Sequence, residues 1–429
     1  MSFKTVNIIT LGCSKNLVDS EHLMTQFAAN GFEVLHDDND LADIVIVNTC
    51  GFILDAKEES ISMVMDYVAA KKRGDIKKLY VMGCLSARYR DELEKEIPEV
   101  DRFFGKFDFD AIITELGIQK RKDLLFDRLL TTPSHFAYLK ISEGCDRTCA
   151  FCAIPQFTGK HKSVPMENLV VEAELLARKG VKELLLIAQE LTYYGIDLYK
   201  ERKLPELIER LSKVKGIEWI RLHYAYPTNF PYELLDVIKN NPKVCNYLDM
   251  PLQHISSSVL KNMRRNISEN QTRDLVKKIR TELPGLALRT TMLVGHPGET
   301  EEDFEKLLEF IQEVKFDRLG VFPYSHEDDT FGFRTFTDDI PQEVKEYRAE
   351  KVMEIQQQIS EEIAAAKIGL TFKVLVDRLE GEFYVGRTEF DSPEVDGEVL
   401  ITASELEIGQ FYDIKITSSD MFDLFGVVA

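Results

Sequence analysis

The chain opens with two kinds of stretch in alternation. Val6–Leu11 is apolar and β-branched, Asp43–Asn48 reads as a buried strand, and Lys78–Met82 is again strand-like. Among them Asp19–Asn30, Ala56–Lys72 and a charged stretch near Ser86–Glu96 carry apolar residues at helical spacing, with Gly31 stopping the first. Such alternation predicts βαβ units around a parallel sheet. From Pro133 onward six more strands are predicted, at Phe136–Ser142, Glu183–Ala188, Trp219–His223, Tyr247–Met250, Leu286–Val294 and Arg318–Tyr324. Helical stretches such as Met166–Lys179 and Glu301–Glu313 separate them. Six βα repeats predict a partial TIM-like barrel, open on one side. A charged helix, Glu343–Lys367, leads to five short runs: Thr371–Leu379, Phe383–Arg387, Gly397–Ile401, Phe411–Thr417 and Leu424–Val428. With Gly and Asp turns between them, they predict a small antiparallel β-barrel. The expected organisation is therefore an α/β protein of three domains: residues 1–132, 133–366 and 367–429. A length of 429 residues accommodates that number.

Composition narrows the setting. No apolar run approaches the roughly 18 residues that a membrane span needs, and Met1-Ser2-Phe3-Lys4 does not begin a signal-peptide pattern. A cytoplasmic protein with no membrane partner is expected. In that compartment grouped cysteines point to metal or redox chemistry rather than disulfides. The formal net charge of −20 repels phosphate backbones, so stable nucleic-acid binding is not expected without a local basic patch. The residues from Lys367 to Ala429 include thirteen acids and five bases, a net charge of −8. Such a module would attract a basic protein, although acidity can also serve solubility alone.

The cysteines carry the chemistry. Cys145, Cys149 and Cys152 form a C-x3-C-x2-C loop directly after the first predicted barrel strand. Three thiolates can hold three irons of a four-iron cluster and leave the fourth open, whereas clusters are normally held by four cysteines. A structural zinc site would want a fourth ligand that this loop lacks. Cys13, Cys50 and Cys84 each fall one to three residues past a predicted strand of the first domain, and each borders a glycine. In a parallel sheet all such ends lie on one edge, where α/β folds bind ligands. Glycine permits the sharp turn and close approach that a cluster requires. The alternative, three small buried core residues, does not account for three equivalent positions. Cys245 stands alone and reads as a core residue.

The C-x3-C-x2-C loop, the six βα repeats and Phe151 just before the last cysteine resemble the radical S-adenosylmethionine (SAM) superfamily. The segment Thr10–Glu21, with Gly12-Cys13-Ser14-Lys15-Asn16, is similar to the N-terminal signature of methylthiotransferases. The order of three-cysteine domain, radical-SAM barrel and TRAM domain resembles that family over essentially the whole chain. Leu11-Gly12-Cys13-Ser14-Lys15-Asn16, Pro251-Leu252-Gln253-His254-Ile255-Ser256 with Met263-Arg264-Arg265 following, and Ser392-Pro393-Glu394-Val395-Asp396-Gly397 look like its RimO branch. The tRNA-modifying branch usually reads Gly-Cys-Gln-Met-Asn at the first cysteine, and Phe-Pro-Gly-Glu where this chain has His296-Pro297-Gly298-Glu299.

The resemblance implies two [4Fe-4S] clusters, one on Cys13, Cys50 and Cys84 and one on Cys145, Cys149 and Cys152. SAM would bind the open iron of the second and yield a radical; the first would supply sulfur. It further implies transfer of a methylthio group to the β-carbon of an aspartate in the basic ribosomal protein S-twelve. A reductant such as flavodoxin or ferredoxin would supply electrons. Methylthiolation of a tRNA adenosine is the alternative, and a non-catalytic iron–sulfur electron carrier is a rival of another class. For SAM the resemblance points to Phe151, Gln189, Glu190, Gly295 and Gly298. Phe151 could instead be a core aromatic. Relatives often have Gln-Asp where this chain has Gln189-Glu190, and Glu299 could equally cap the helix beginning near Thr300. His223, His254 and His296 lie near strand ends, but none is assigned a catalytic role.

Overall fold

The computed structural model describes residues 3–40 and 42–429. The first sheet contains β1 (Thr5–Thr10), β2 (Glu33–His36), β3 (Ile44–Thr49), β4 (Lys78–Gly83) and β5 (Arg102–Phe103). Its order is β2-β1-β3-β4-β5 and every pair is parallel. Val45, Val47, Leu79 and Val81 pack towards helix Leu54–Arg73 on one face. Ile44, Ile46, Tyr80 and Met82 meet helices Ser14–Ala29 and Phe109–Glu115 on the other. This alternation is the period-2 signature of a sheet covered on both sides. The charged stretch expected as one helix divides into Cys84–Arg88 and Arg90–Glu96. Tyr89, with φ −124° and ψ 31°, breaks the helical path between them.

The second sheet is built of β6 (Phe136–Lys140), β9 (Glu183–Ile187), β10 (Trp219–Leu222), β11 (Val244–Asp249), β12 (Ala287–Val294) and β13 (Arg318–Pro323). They lie side by side in chain order, all parallel, so the expected open barrel is found. Helix Ser14–Ala29 packs on β6 and helix Gln342–Ala365 lies along β13. A short antiparallel pair, β7 (Ser142–Glu143) with β8 (Lys162–Ser163), closes the base of the cysteine loop.

The last five strands are β14 (Thr371–Glu380), β15 (Phe383–Thr388), β16 (Val399–Thr402), β17 (Phe411–Ser419) and β18 (Leu424–Val428). They close into a barrel in the order β14-β15-β16-β18-β17. The barrel is not wholly antiparallel, because β16 and β18 run parallel. The chain between them passes through β17, so β18 returns in the direction of β16 and seals the barrel.

This small barrel docks where the large sheet's strands begin. Trp219, Cys245, Tyr247 and Ala287 cluster with Leu375, Phe390 and Phe411; Cys245 is the core residue its isolation suggested. Beside them Arg221 Nε lies 2.7 Å from Glu183, and Glu183 also takes Arg387 at 2.8 Å. Arg387 in turn reaches Asp377 at 2.7 Å, which holds His135. Asp391 and Asp396 face Arg318 and Arg289. Part of the acidity read as a surface lure for a basic partner is thus used inside the interface.

The first domain is clasped to the large barrel by Glu327, which takes Lys57 at 2.8 Å and Arg88 at 3.1 Å. Arg128 bridges Glu21 and Glu172 at 2.9 Å each. Among the described residues no helix is long and apolar enough to cross a membrane.

Candidate active site: two cysteine triads on one cavity

Cys13, Cys50 and Cys84 follow β1, β3 and β4 at the carboxyl edge of the first sheet. The chain order reverses between β1 and β3, the topological switch where such sheets bind ligands. Three glycines allow the convergence. A Cβ on Gly12, whose φ is +96°, would lie 2.8 Å from the Cβ of Cys50 and 3.0 Å from its sulfur. One on Gly51 would meet the backbone of Leu85 at 2.7 Å, and one on Gly83 the carbonyl of Thr49 at 2.5 Å. Cys13 precedes the first turn of helix Ser14–Ala29, and Cys84 opens helix Cys84–Arg88.

The other triad is held by the loop after β7. The Cys145 amide donates to the Gly159 carbonyl at 3.2 Å, and a Cβ on Gly144 would collide with the Lys160 carbonyl. Ala150 anchors the far side: its amide donates to Met263 at 2.9 Å and its carbonyl accepts from Gly332 at 2.7 Å.

All six thiols line a single cavity of about 340 Å³. The two triads come from different domains, and only the folded chain brings them together. Phe52, Phe151 and Phe157 supply apolar lining; Lys15, Lys106, Arg147 and Arg265 supply charge. Lys106 Nζ lies 3.8 Å from the Cys84 sulfur, 3.2 Å from Asn16 Oδ1 and 3.5 Å from Asp19. Arg265 donates to the Cys149 sulfur at 3.5 Å, and the Tyr226 hydroxyl lies at the same distance from it. Arg147 and Arg265 both lie over the Tyr226 ring, 4.1 and 4.2 Å from its centre. Tyr224 and Gln253 line the cavity with φ of +62° and +74°, a strained backbone of the kind that gathers at working sites.

Burial pushes the Cys84 thiol up to about 12 against the pull of Lys106. It raises Cys50 too, and Cys145 to about 11. At Cys13 burial also pushes upward and is the largest single influence, but it is outweighed. The ammonium groups of Lys15 and Lys106 and the amides of Asn16 and Lys15 bring it below the ordinary thiol value.

The donor set suits one iron–sulfur cluster on each wall. Each wall offers three thiols, Lys106 and Arg265 stand beside the sulfurs of Cys84 and Cys149 to offset a cluster's negative charge, and the remaining lining is largely apolar. Among the described residues no three histidine, cysteine or carboxylate side chains gather tightly enough to hold a single ion.

The other expected residues divide. Phe151 lines the cavity while also packing on Val259, Met263, Leu293 and Tyr324. Gln189 lines it, donates to Glu143 at 2.9 Å, and among the described residues its buried carbonyl oxygen has no partner. Glu190 faces away, gripped by Arg147 at 2.8 Å behind the cysteine loop. Gly295 and Gly298 lie outside the lining. Their φ of +75° and +83° serve the turn after β12, and a Cβ on Gly295 would strike the stem of Lys345. Glu299 does not cap the next helix, because Thr300 and Asp303 form that capping box. It accepts instead from the Gly295 amide at 2.7 Å and from Arg348 at 3.0 Å. None of His223, His254 and His296 lines the cavity. Sequence reasoning gave no role to Lys106, Arg147, Tyr226 or Arg265. Arg147 sits inside the cysteine motif and Arg265 in the segment Met263-Arg264-Arg265, whereas Lys106 has no local signal.

Three family descriptions match the chain: "Uncharacterized protein family UPF0004" over residues 5–105, "Radical SAM superfamily" over 139–311 and "TRAM domain" over 368–429. A protein of Phocaeicola vulgatus named ribosomal protein uS12 methylthiotransferase RimO is 57% identical, with 100% of both chains covered. Proteins of the same name from Bacteroides thetaiotaomicron and Flavobacterium johnsoniae are 56% and 55% identical. They cover 100% and 98% of this chain and 99% and 97% of their own. Among solved structures, the radical SAM methyltransferase TsrM of Kitasatospora setae has a TM-score of 0.57 at 14% identity. The match covers 74% of this chain and 72% of that one, a likeness of fold.

Proposed function

We infer the reaction of this cavity from the family to which the chain belongs: it is a radical-SAM methylthiotransferase of the RimO family. SAM and [4Fe-4S] clusters are the cofactors of this family. When bound, they supply a reducing electron, hydrogen-abstracting power, sulfur and a methyl group. The net change is the replacement of one C–H hydrogen by a methylthio group.

The proposed assignment gives Cys145, Cys149 and Cys152 one cluster and Cys13, Cys50 and Cys84 the other. The observation that carries it is the single cavity on which both triads open. Phe151 and Gln189 are proposed to contact SAM. Glu190 acts through Arg147, orienting it beside Cys145, while Gly295 and Gly298 shape the turn behind the site. Arg265 and Tyr226 orient the Cys149 sulfur, Lys106 does the same for Cys84, and the three phenylalanines keep water away. Residues 1–132, 133–366 and 367–429 are read as the sulfur-supplying domain, the radical-SAM domain and the TRAM domain; the matched segments support these bounds. The substrate is read as an aspartate of ribosomal protein uS12, modified at its β-carbon, with a flavodoxin- or ferredoxin-type reductant in the cytoplasm. Its relatives' names support the choice of uS12.

The test is mass spectrometry of uS12 and of tRNA after incubation with reconstituted enzyme, SAM and reductant. A methylthio group on the uS12 aspartate is expected. The same group on a tRNA adenosine, with uS12 unchanged, would overturn the substrate assignment. The Cys13→Ala variant should still cleave SAM reductively but produce no methylthio product; normal methylthiolation by it would refute the two-cluster assignment.

A further inference from the structure

Four cations line the cavity and, among the described residues, no carboxylate does, in a chain of net charge −20. Three of the four are engaged. Arg147 is paired with Glu190 at 2.8 Å, Lys106 with Asp19 at 3.5 Å, and Arg265 bonds the Cys149 sulfur and the Pro251 carbonyl. Lys15 differs. The residue is only 8% exposed, yet among the described residues its ammonium has no carboxylate within ion-pair distance. It rests over the Tyr224 ring, 3.9 Å from the centre. Tyr224 is itself pinned, with its amide donating to Asp249 at 3.1 Å. A buried ammonium held by a ring, on the cavity wall and, among the described residues, with no carboxylate in contact, is prepared for an incoming carboxylate.

The proposed substrate brings one. In an aspartate the carboxylate is bonded directly to the β-carbon, so whatever grips the carboxylate fixes the reacting carbon one bond away. Lys15 belongs to the Cys13 wall, whereas Arg147 and Arg265 stand beside Cys145 and Cys149 on the other. It is therefore placed beside the wall assigned to sulfur supply and away from the SAM-binding loop.

We propose that Lys15 is the specificity-determining residue of this cavity, receiving the side-chain carboxylate of the substrate aspartate. The proposal rests on the reading that the substrate is an aspartate of uS12. Discrimination against a neutral side chain should be large, because an unmatched buried charge is costly.

The test uses the loaded enzyme and two probes, intact uS12 and uS12 with asparagine at the modified position. Wild-type enzyme should bind the aspartate form about ten- to a hundredfold more tightly. In Lys15→Gln that gap should close: the aspartate form weakens by the same factor, while the asparagine form, SAM affinity and iron content stay unchanged. Lys15→Arg, which keeps the charge, should retain most of the gap. An unchanged gap in Lys15→Gln, equal weakening of both forms, weakened SAM binding, or loss of iron would each overturn the proposal. If wild-type enzyme neither binds nor modifies uS12, the substrate reading itself fails and the inference falls with it.

Discussion

Replacing Gly12 by alanine tests whether the N-terminal triad depends on close backbone approach. Two costs follow from the structure. The residue sits at φ +96°, where an alanine pays roughly 1–2 kcal/mol. Its Cβ would also lie 2.8 Å from the Cβ of Cys50 and 3.0 Å from its sulfur, and overpacking of that kind costs about 1–3 kcal/mol. Together they predict a loss of about 2–5 kcal/mol, relieved most directly by moving Cys50 out of line. Gly74 provides the control: it has φ +84° at the end of helix Leu54–Arg73, with nothing within 4 Å of an added Cβ. Gly74→Ala should cost only the backbone share. After reconstitution, iron in Gly74→Ala should stay near the roughly eight atoms of two clusters, and in Gly12→Ala it should fall towards about four. SAM cleavage should survive in both, and methylthiolation should be lost in Gly12→Ala alone. Full iron and full methylthiolation in Gly12→Ala, with the stability of Gly74→Ala, would refute the reasoning.

Two further outcomes follow from buried charge. Burial raises the Glu299 carboxyl to about 7, outweighing Arg348 and the amides of Gly295 and His296. Its folded-state value lies above its unfolded one, so wild-type stability falls as pH rises from about 4.5 to about 7 and then levels off. Urea unfolding of apoprotein should show Glu299→Gln gaining on wild type across that window, by up to about 3 kcal/mol; a constant difference would count against the shift. Lys106→Met should cost about 3 kcal/mol in the same assay, because it leaves the buried Asp19 with Lys140 alone. Adding Asp19→Asn should restore part of that loss, and strict additivity of the two changes would contradict the pairing.

The barrel was legible because each strand is a short, mostly apolar run with a helix after it. The cysteine edge was legible because each of the three thiols follows a strand end within three residues. Other features were not, for physical reasons. Strand β2 (Glu33–His36) is half exposed and shows no clean alternation, and β5 (Arg102–Phe103) has only two residues. The parallel closure of the small barrel depends on which strands become neighbours, and local pattern does not encode that. Lys106 meets Cys84 from 22 residues away through the fold alone. Gly295 and Gly298 were read as ligand-facing because a glycine turn after a strand fits both a binding loop and a tight corner; the stem of Lys345 accounts for Gly295 as a corner.

The clasp at Glu327 bears on how a substrate gets in. Arg88 and Glu327 have side chains only 4% and 3% exposed, and parting them would strand buried charges at a cost of about 3–5 kcal/mol. The cavity walls are therefore not jaws that close on a partner. A body as bulky as a ribosomal protein must stay outside and thread a single projecting side chain inward. On this view, a residue is selected as much by how far it protrudes from its own fold as by its chemical type.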